Sequence, residues 1–339
     1  MILPGGMAGE GAPRIALTGA TGFLGSHIAD ALLARGFRVR ASVRATSNLR
    51  WLEGKPVETV PVDLTDAADC AGFLAGTMGL IHCAGVVSAP AERIYHTANV
   101  TTTERLLEAA GDAWAGREDT AAFVLVSSLA AHGPAGLDRP AVEADACRPT
   151  TAYGRSKLAA ENLLAAGDRP FRTAILRPPS LYGPRDAEFL PLIRMATWGW
   201  TGRLGRRLEG LSLVHGRDAA AAAVALLETD TAVGAYFVDD GRTGYDWPAL
   251  AEALAHMAGR RIRTLTVPLG GLKLLSYLAG GSRAARSPVL NRDRIRDLDV
   301  EGWVCDGRRL VAATGFRPRW DAARGLADTL AFYRKARWL

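Results

Sequence analysis

TGATGFLG, residues 18–25, is the stretch whose reading decides the fold. It follows an apolar run, RIALT at 14–18, and opens an amphipathic one, SHIADALLAR at 26–35, so its glycines fall at a strand-to-helix turn. A side chain at Gly19 or Gly22 would block the tight turn and keep a pyrophosphate from the backbone N–H groups. The missing side chain at Gly25 lets helix and strand pack closely, and the helix N-terminus adds partial positive charge for the phosphates. Thr21, Phe23 and Leu24, in the same turn, are assigned with the glycines to a dinucleotide site.

Working outward, short apolar runs alternate with amphipathic ones. FRVRASV (37–43), VETVPV (57–62), GLIHC (79–83), AFVLVSS (122–128) and FRTAILR (171–177) read as strands. Segments 26–35, closed by Gly36, 100–114 and 151–166 read as helices between them. This is the α/β pattern of a Rossmann-type doubly wound parallel sheet with a smaller C-terminal substrate-binding domain. The expected division is a disordered leader at 1–13 and a cofactor-binding domain at 14–180. Residues 212–240 return to that domain through a helix at 216–228 and a strand at 234–240. A substrate-binding domain is assembled from 181–211 and 241–339, beginning where RPPSLYGPRD brings in proline and glycine.

Composition narrows the function classes. The chain has 339 residues, 48% of them hydrophobic, which is enough for a large core. Its net charge of +6 comes from scattered arginines, not a basic block, which argues against a nucleic-acid partner. Cys70, Cys83, Cys147 and Cys305 lie far apart with no C-x-x-C pair, so neither a metal site nor a disulfide framework is expected. A reducing, cytoplasmic setting fits. No apolar stretch reaches spanning length; VPLGGLKLLSYLAGG at 267–281 suits a short amphipathic or pocket-covering segment, which leaves peripheral membrane contact open.

Tyr153 and Lys157, in YGRSK, lie four apart and share one helix face. An ammonium beside a phenol stabilises phenolate and lowers its pKa from about 10, so that the tyrosine serves as acid or base near neutrality. Ser128 ends a strand where a hydroxyl emerges at the carboxyl edge of the sheet. At the end of the second strand, VRASVRATSN carries Arg44 and no acid, so a cofactor 2'-phosphate is welcomed there, with Ser47 as a further donor.

The G-x-x-G-x-x-G spacing, DLT at 63–65 and HCAG at 82–85 resemble the extended short-chain dehydrogenase/reductases, the NAD-dependent epimerase/dehydratase superfamily. That resemblance implies Asp63 and Leu64 at the adenine, Ala84, Gly85 and Pro178 along the cofactor, and Lys157 on the nicotinamide ribose. VSSLAAHG is similar to the family's S-S-x-x-x-Y-G stretch, and alignment on Gly133 makes Ser128 the catalytic hydroxyl, with Tyr153 and Lys157. His132 stands where a tyrosine is usual and reads as a packing or rim residue. ANVTTTERLLEAA matches the element whose asparagine supports a water near the lysine, implying a catalytic role for Asn99; read from its own sequence, Asn99 is a helix N-cap.

RPPSLYGP, LSLVHGRDAA and the terminal TLAFYRKARWL look like the dihydroflavonol-reductase and 3β-hydroxysteroid-dehydrogenase branch, whose members often pair as homodimers. The expected activity is NADP(H)-dependent, rather than NAD(H)-dependent, interconversion of a ketone and a secondary alcohol on a hydrophobic small molecule. An NDP-sugar epimerase with tightly held NAD and a non-catalytic nucleotide sensor are the alternatives. Leu129, Ala130 and Ala131 stand where dehydratases carry an acidic pair, and Pro178, Pro179 and Ser180 where epimerases carry an asparagine. Trp198, Trp200, Trp247 and Trp303 suit either an apolar pocket or the core of a small cap, and His215 reads as a structural contact.

Overall fold

Seven apolar segments pair into one parallel sheet. The computed structural model describes residues 11–116, 120–166, 169–204, 207–267 and 299–339. Its strands are β1 (Arg14–Thr18), β2 (Arg38–Val43), β3 (Val57–Pro61), β4 (Gly79–His82), β5 (Ala122–Val126), β6 (Arg172–Arg177), β7 (Ser180–Tyr182), β8 (Trp200–Leu204), β9 (Gly210–Leu211), β10 (Leu213–His215), β11 (Gly234–Phe237), β12 (Tyr245–Asp246), β13 (Arg263–Val267) and β14 (Gly302–Trp303). The large sheet runs β11-β6-β5-β4-β1-β2-β3. Chain order reverses between β1 and β4, and ligands of open α/β sheets bind at the carboxyl edge of that point.

The helices are α1 (Phe23–Ala34), α2 (Ala67–Leu74), α3 (Glu92–Tyr95), α4 (Thr102–Ala113), α5 (Leu129–His132), α6 (Ala152–Ala165), α7 (Leu190–Thr197), α8 (Gly216–Glu228), α9 (Trp247–Ala258), α10 (Arg308–Thr314) and α11 (Ala322–Lys335). Alternation along the strands feeds two core layers. Ile15, Leu17, Val124 and Leu176 meet Ile28, Leu32 and the alanines of α8 on one face. On the other face, Ala16, Leu80, Phe123 and Leu125 meet Phe73, Leu106, Leu107 and Ala160. Because helices cover both faces, β4 and β5 are buried along their whole length. Ala219, Ala220, Ala222 and Ala223 are fully buried, so the alanine run of α8 serves close packing against α1 as well as helix propensity.

Several boundaries differ from the sequence expectations for local reasons. α1 starts at Phe23, because Gly22 is already an extended N-cap. β5 stops at Val126: Ser127 N–H still bonds Leu176 O, but Ser128 turns out to cap α5. Ahead of α4 the chain makes a π-helical turn, His96–Thr101, which contains Asn99. A third apolar cluster, including Tyr182, Ile193, Leu213, Leu254, Leu326 and Tyr333, joins α7, α9 and α11 beyond the large sheet. Of the 267–281 segment, all but Val267 lies outside the described residues.

Candidate active site

The glycine turn is packed onto the end of β4. Gly19 has φ +73°, and a β-carbon on it would lie 2.7 Å from Ala84 N. One on Gly25 would lie 2.0 Å from Gly19 O, so only glycine closes this turn. Thr18 Oγ1 accepts from both Cys83 N and Ala84 N, at 3.1 and 3.0 Å. The side chains of the next residues point elsewhere: Leu24 is in the core, and the Phe23 ring fills the space beside Gly216, where a β-carbon would be 2.7 Å away. What Phe23 and Leu24 offer a ligand is therefore backbone.

A hydrogen-bonded chain runs from this turn to Asn99. With two N–H groups donating to its oxygen, Thr18 turns its hydroxyl proton to His82 Nδ1, 2.7 Å away. His82 then donates from Nε2 to Thr103 Oγ1 at 3.1 Å, and Thr103 donates to Asn99 O at 2.7 Å. Burial, with Lys157 nearby, lowers His82 to about 3, which keeps the ring neutral in this tautomer. Asn99 is no helix cap: its Oδ1 accepts from Val86 N at 2.9 Å, and its Nδ2 donates to Ser156 Oγ at 2.9 Å and Val86 O at 3.2 Å.

Gly85, Asn99 and Lys157 converge. A β-carbon on Gly85 would fall 2.8 Å from Asn99 Oδ1 and 3.2 Å from Lys157 Nζ. Lys157 is buried and donates to Val126 O at 2.9 Å. Glu161, one turn further along α6, is taken by Arg177 through a two-pronged bond and by Ser127 Oγ, so Lys157 has no carboxylate partner among the described residues. Burial pulls the Lys157 ammonium below its ordinary 10.5, opposed by Cys83 and Glu161.

The turn that Ser128 caps and the start of α6, which carries Tyr153, pack backbone against backbone. Ser128 Oγ accepts from Ala130 N at 3.1 Å, and Leu129 N–H bonds Pro178 O at 2.9 Å, which places Pro178 against the serine turn. Thr151 caps α6 by accepting from Gly154 N at 3.1 Å. Gly154 itself lies on the α5 turn just past Ser128. The Tyr153 ring is half-buried, 6.2 Å from the buried Tyr95 ring, and Ser156 Oγ holds its carbonyl at 2.7 Å. Gly154, His82 and the Glu161–Arg177 pair were not among the sequence assignments. YGRSKLAAE does show Glu161 one turn after Lys157, the only signal of that pair available beforehand.

The remaining candidates make contacts of their own. Arg44 is exposed after β2, its backbone N–H bonded to Ser47 Oγ at 3.0 Å, and its guanidinium has no ion-pair partner among the described residues. Arg40, by contrast, is held by Glu58 at 3.0 Å and Ala75 O at 2.7 Å. Asp63 is exposed and accepts from Thr65 N and Oγ1, which lowers its pKa, while Leu64 packs on the core. His132 is buried edge-on to Phe237, a packing position. His215 is buried, stacked on Trp320, with Nε2 3.4 Å from Asp328. Trp247 packs on the cluster of α7, α9 and α11, Trp303 on a separate one with Leu129 and Phe237, and Trp198 is exposed. Among the described residues no group of side chains could hold a metal ion, and no helix is long and apolar enough to cross a membrane.

The chain belongs to the NAD dependent epimerase/dehydratase family, whose profile matches residues 15–238. It is 30% identical over 335 residues to the ceramide reductase of Caulobacter vibrioides, covering 98% of each chain. It is 32% identical to a 3β-hydroxysteroid dehydrogenase/Δ5→4-isomerase of Mycobacterium tuberculosis, covering 94% of this chain and 90% of that one. The UDP-glucose 4-epimerase of Thermus thermophilus, solved with NAD, superposes with a TM-score of 0.73 at 25% identity, over 95% of this chain and 99% of that one. The family and these relatives make the chain an NAD(P)-dependent enzyme of the reductase, dehydrogenase and epimerase kind.

Proposed function

We propose that the protein is an NADP(H)-dependent reductase of a ketone carried by a lipid-like molecule, also able to run as the alcohol dehydrogenase. The observation that carries this reading is Lys157: a buried ammonium bonded to a backbone carbonyl, with no carboxylate partner among the described residues, on the same helix face as Tyr153. The residues fit a dinucleotide, since the turn at Gly19, Gly22 and Gly25 is bare of side chains where a pyrophosphate approaches. When bound, the reduced nicotinamide supplies the hydride.

This chain's own groups handle the oxygen. Tyr153 donates its phenolic proton to the alkoxide that develops, and Ser128 donates a hydrogen bond to the same oxygen. Lys157 favours the phenolate left behind and holds ribose hydroxyls, while Asn99 fixes the Val86 and Ser156 backbone and side chain around it. Arg44 takes the 2'-phosphate and Asp63 with Leu64 the adenine. Similarity to the ceramide reductase over nearly the whole of both chains supports a lipid-like substrate. The four unpaired cysteines fit a reducing cytoplasm.

The test is a screen of NADPH and NADH against hydrophobic ketones, β-keto thioesters and sugar nucleotides. NADPH oxidation with a hydrophobic ketone is the expected result. Interconversion of a sugar nucleotide with no added cofactor would instead identify an epimerase, and dinucleotide binding without turnover on any of them a sensor.

A further inference from the structure

β8 and β13 form a two-stranded parallel sheet of their own. Their register pairs Trp200 with Arg263 and Gly202 with Leu265, so these four residues project to one face. Thr201, projecting to the other, is fully buried. The outward face is apolar and wet: Trp198 is 67% exposed, Leu265 51% and Trp200 36%. Where Gly202 has no side chain, the Met195 methyl reaches within 3.8 Å of its β-position. Arg260, Arg261 and Arg263 are exposed beside it, with Arg263 5.6 Å above the Trp200 ring and Arg260 bonded to Thr197 O at 3.1 Å. Residues 190–204 and 259–267 contain no aspartate or glutamate.

We propose that this face docks on an anionic lipid bilayer. Exposed indoles and an aliphatic side chain, beside arginines, match the chemistry of the headgroup layer, where tryptophan sits at the polar boundary and arginine meets phosphate. A second copy of the chain is the poorer occupant. A two-fold contact would set the same three arginines against themselves with no carboxylate in either segment to pair them. Each arginine close to an anionic surface changes partitioning by about fivefold, so three together set a change on the order of a hundredfold.

The experiment is co-sedimentation of the full chain with phosphatidylcholine vesicles and with vesicles of phosphatidylcholine and phosphatidylglycerol. The expected result is pelleting with the anionic vesicles alone, weakened by salt. The triple variant Arg260→Glu, Arg261→Glu, Arg263→Glu should lose on the order of a hundredfold or more in partitioning, and Trp198→Ser should weaken it. Val233→Ser, an exposed apolar residue elsewhere, should bind as wild type does. All these positions are exposed, and an unchanged melting temperature confirms that each variant folds. Wild-type binding that is absent, equal on neutral vesicles, or retained by the triple variant overturns the proposal. So does self-association in sedimentation velocity that Trp198→Ser abolishes, which would assign the face to a second copy.

Discussion

Gly154 lies so close to Ala130 that a β-carbon on it would come within 2.3 Å of the Ala130 carbonyl oxygen and 3.1 Å of Pro149 Cβ. Gly154 follows Tyr153, and Ala130 comes two residues after Ser128, so this contact sets how closely the backbone at the start of α6 approaches the serine turn. Gly154→Ala must push α6 off the serine turn. The expected cost is about 1–3 kcal/mol in denaturant unfolding, with kcat falling more than cofactor affinity. Normal kcat in a folded Gly154→Ala variant would show that this spacing is not what positions the pair.

His82 and His27 should make the fold acid-sensitive. Burial lowers His82 to about 3 and His27, bonded to Pro184 O, to about 4. Between those values and the 6.5 of an unfolded histidine, the unfolded chain binds more protons than the folded one. Stability therefore rises with pH across that window and is lost as pH falls below 6.5, by about 2 kcal/mol for each residue near pH 5. His82→Gln should flatten the stability–pH curve there; an unchanged slope would mean that His82 is protonated in the folded protein.

Arg44→Asp should weaken NADPH roughly tenfold to a hundredfold while leaving NADH nearly as it was, read by titration of each dinucleotide. Arg40→Asp should act through stability instead, because Arg40 is already engaged by Glu58 and Ala75 O. Equal losses of both cofactors in Arg44→Asp would remove the 2'-phosphate contact.

Lys157→Met should abolish turnover. Because burial lowers the Lys157 pKa, the folded wild type releases its proton at lower pH than the unfolded chain does, so wild-type stability should rise relative to the variant as pH climbs towards 10.5. Parallel stability curves in chemical denaturation would indicate a lysine whose proton affinity folding does not alter.

Much of the frame was legible because it is local. RIALT became β1 over the expected residues, the alternation of β5 split between the two core layers, and the strand–glycine–helix context of TGATGFLG located the turn. What escaped is long-range or too short for a pattern. β9, β12 and β14 are two residues each, so no period exists to read. The steric need for Gly154 appears only when α6 meets the α5 turn. Asn99 looked like a cap from its neighbours, but the π-helical turn aims it at Val86 and Ser156 instead.

Transfer of label from 4,4-dideuterated NADPH to a hydrophobic ketone tests the central claim most directly. The wild type should yield an alcohol with deuterium on the carbinol carbon, and Tyr153→Phe should slow that product by about 10²–10⁴-fold while still binding NADPH. Label transfer by Tyr153→Phe at the wild-type rate would contradict the assignment of the proton donor, and an unlabelled product from the wild type would contradict hydride transfer itself.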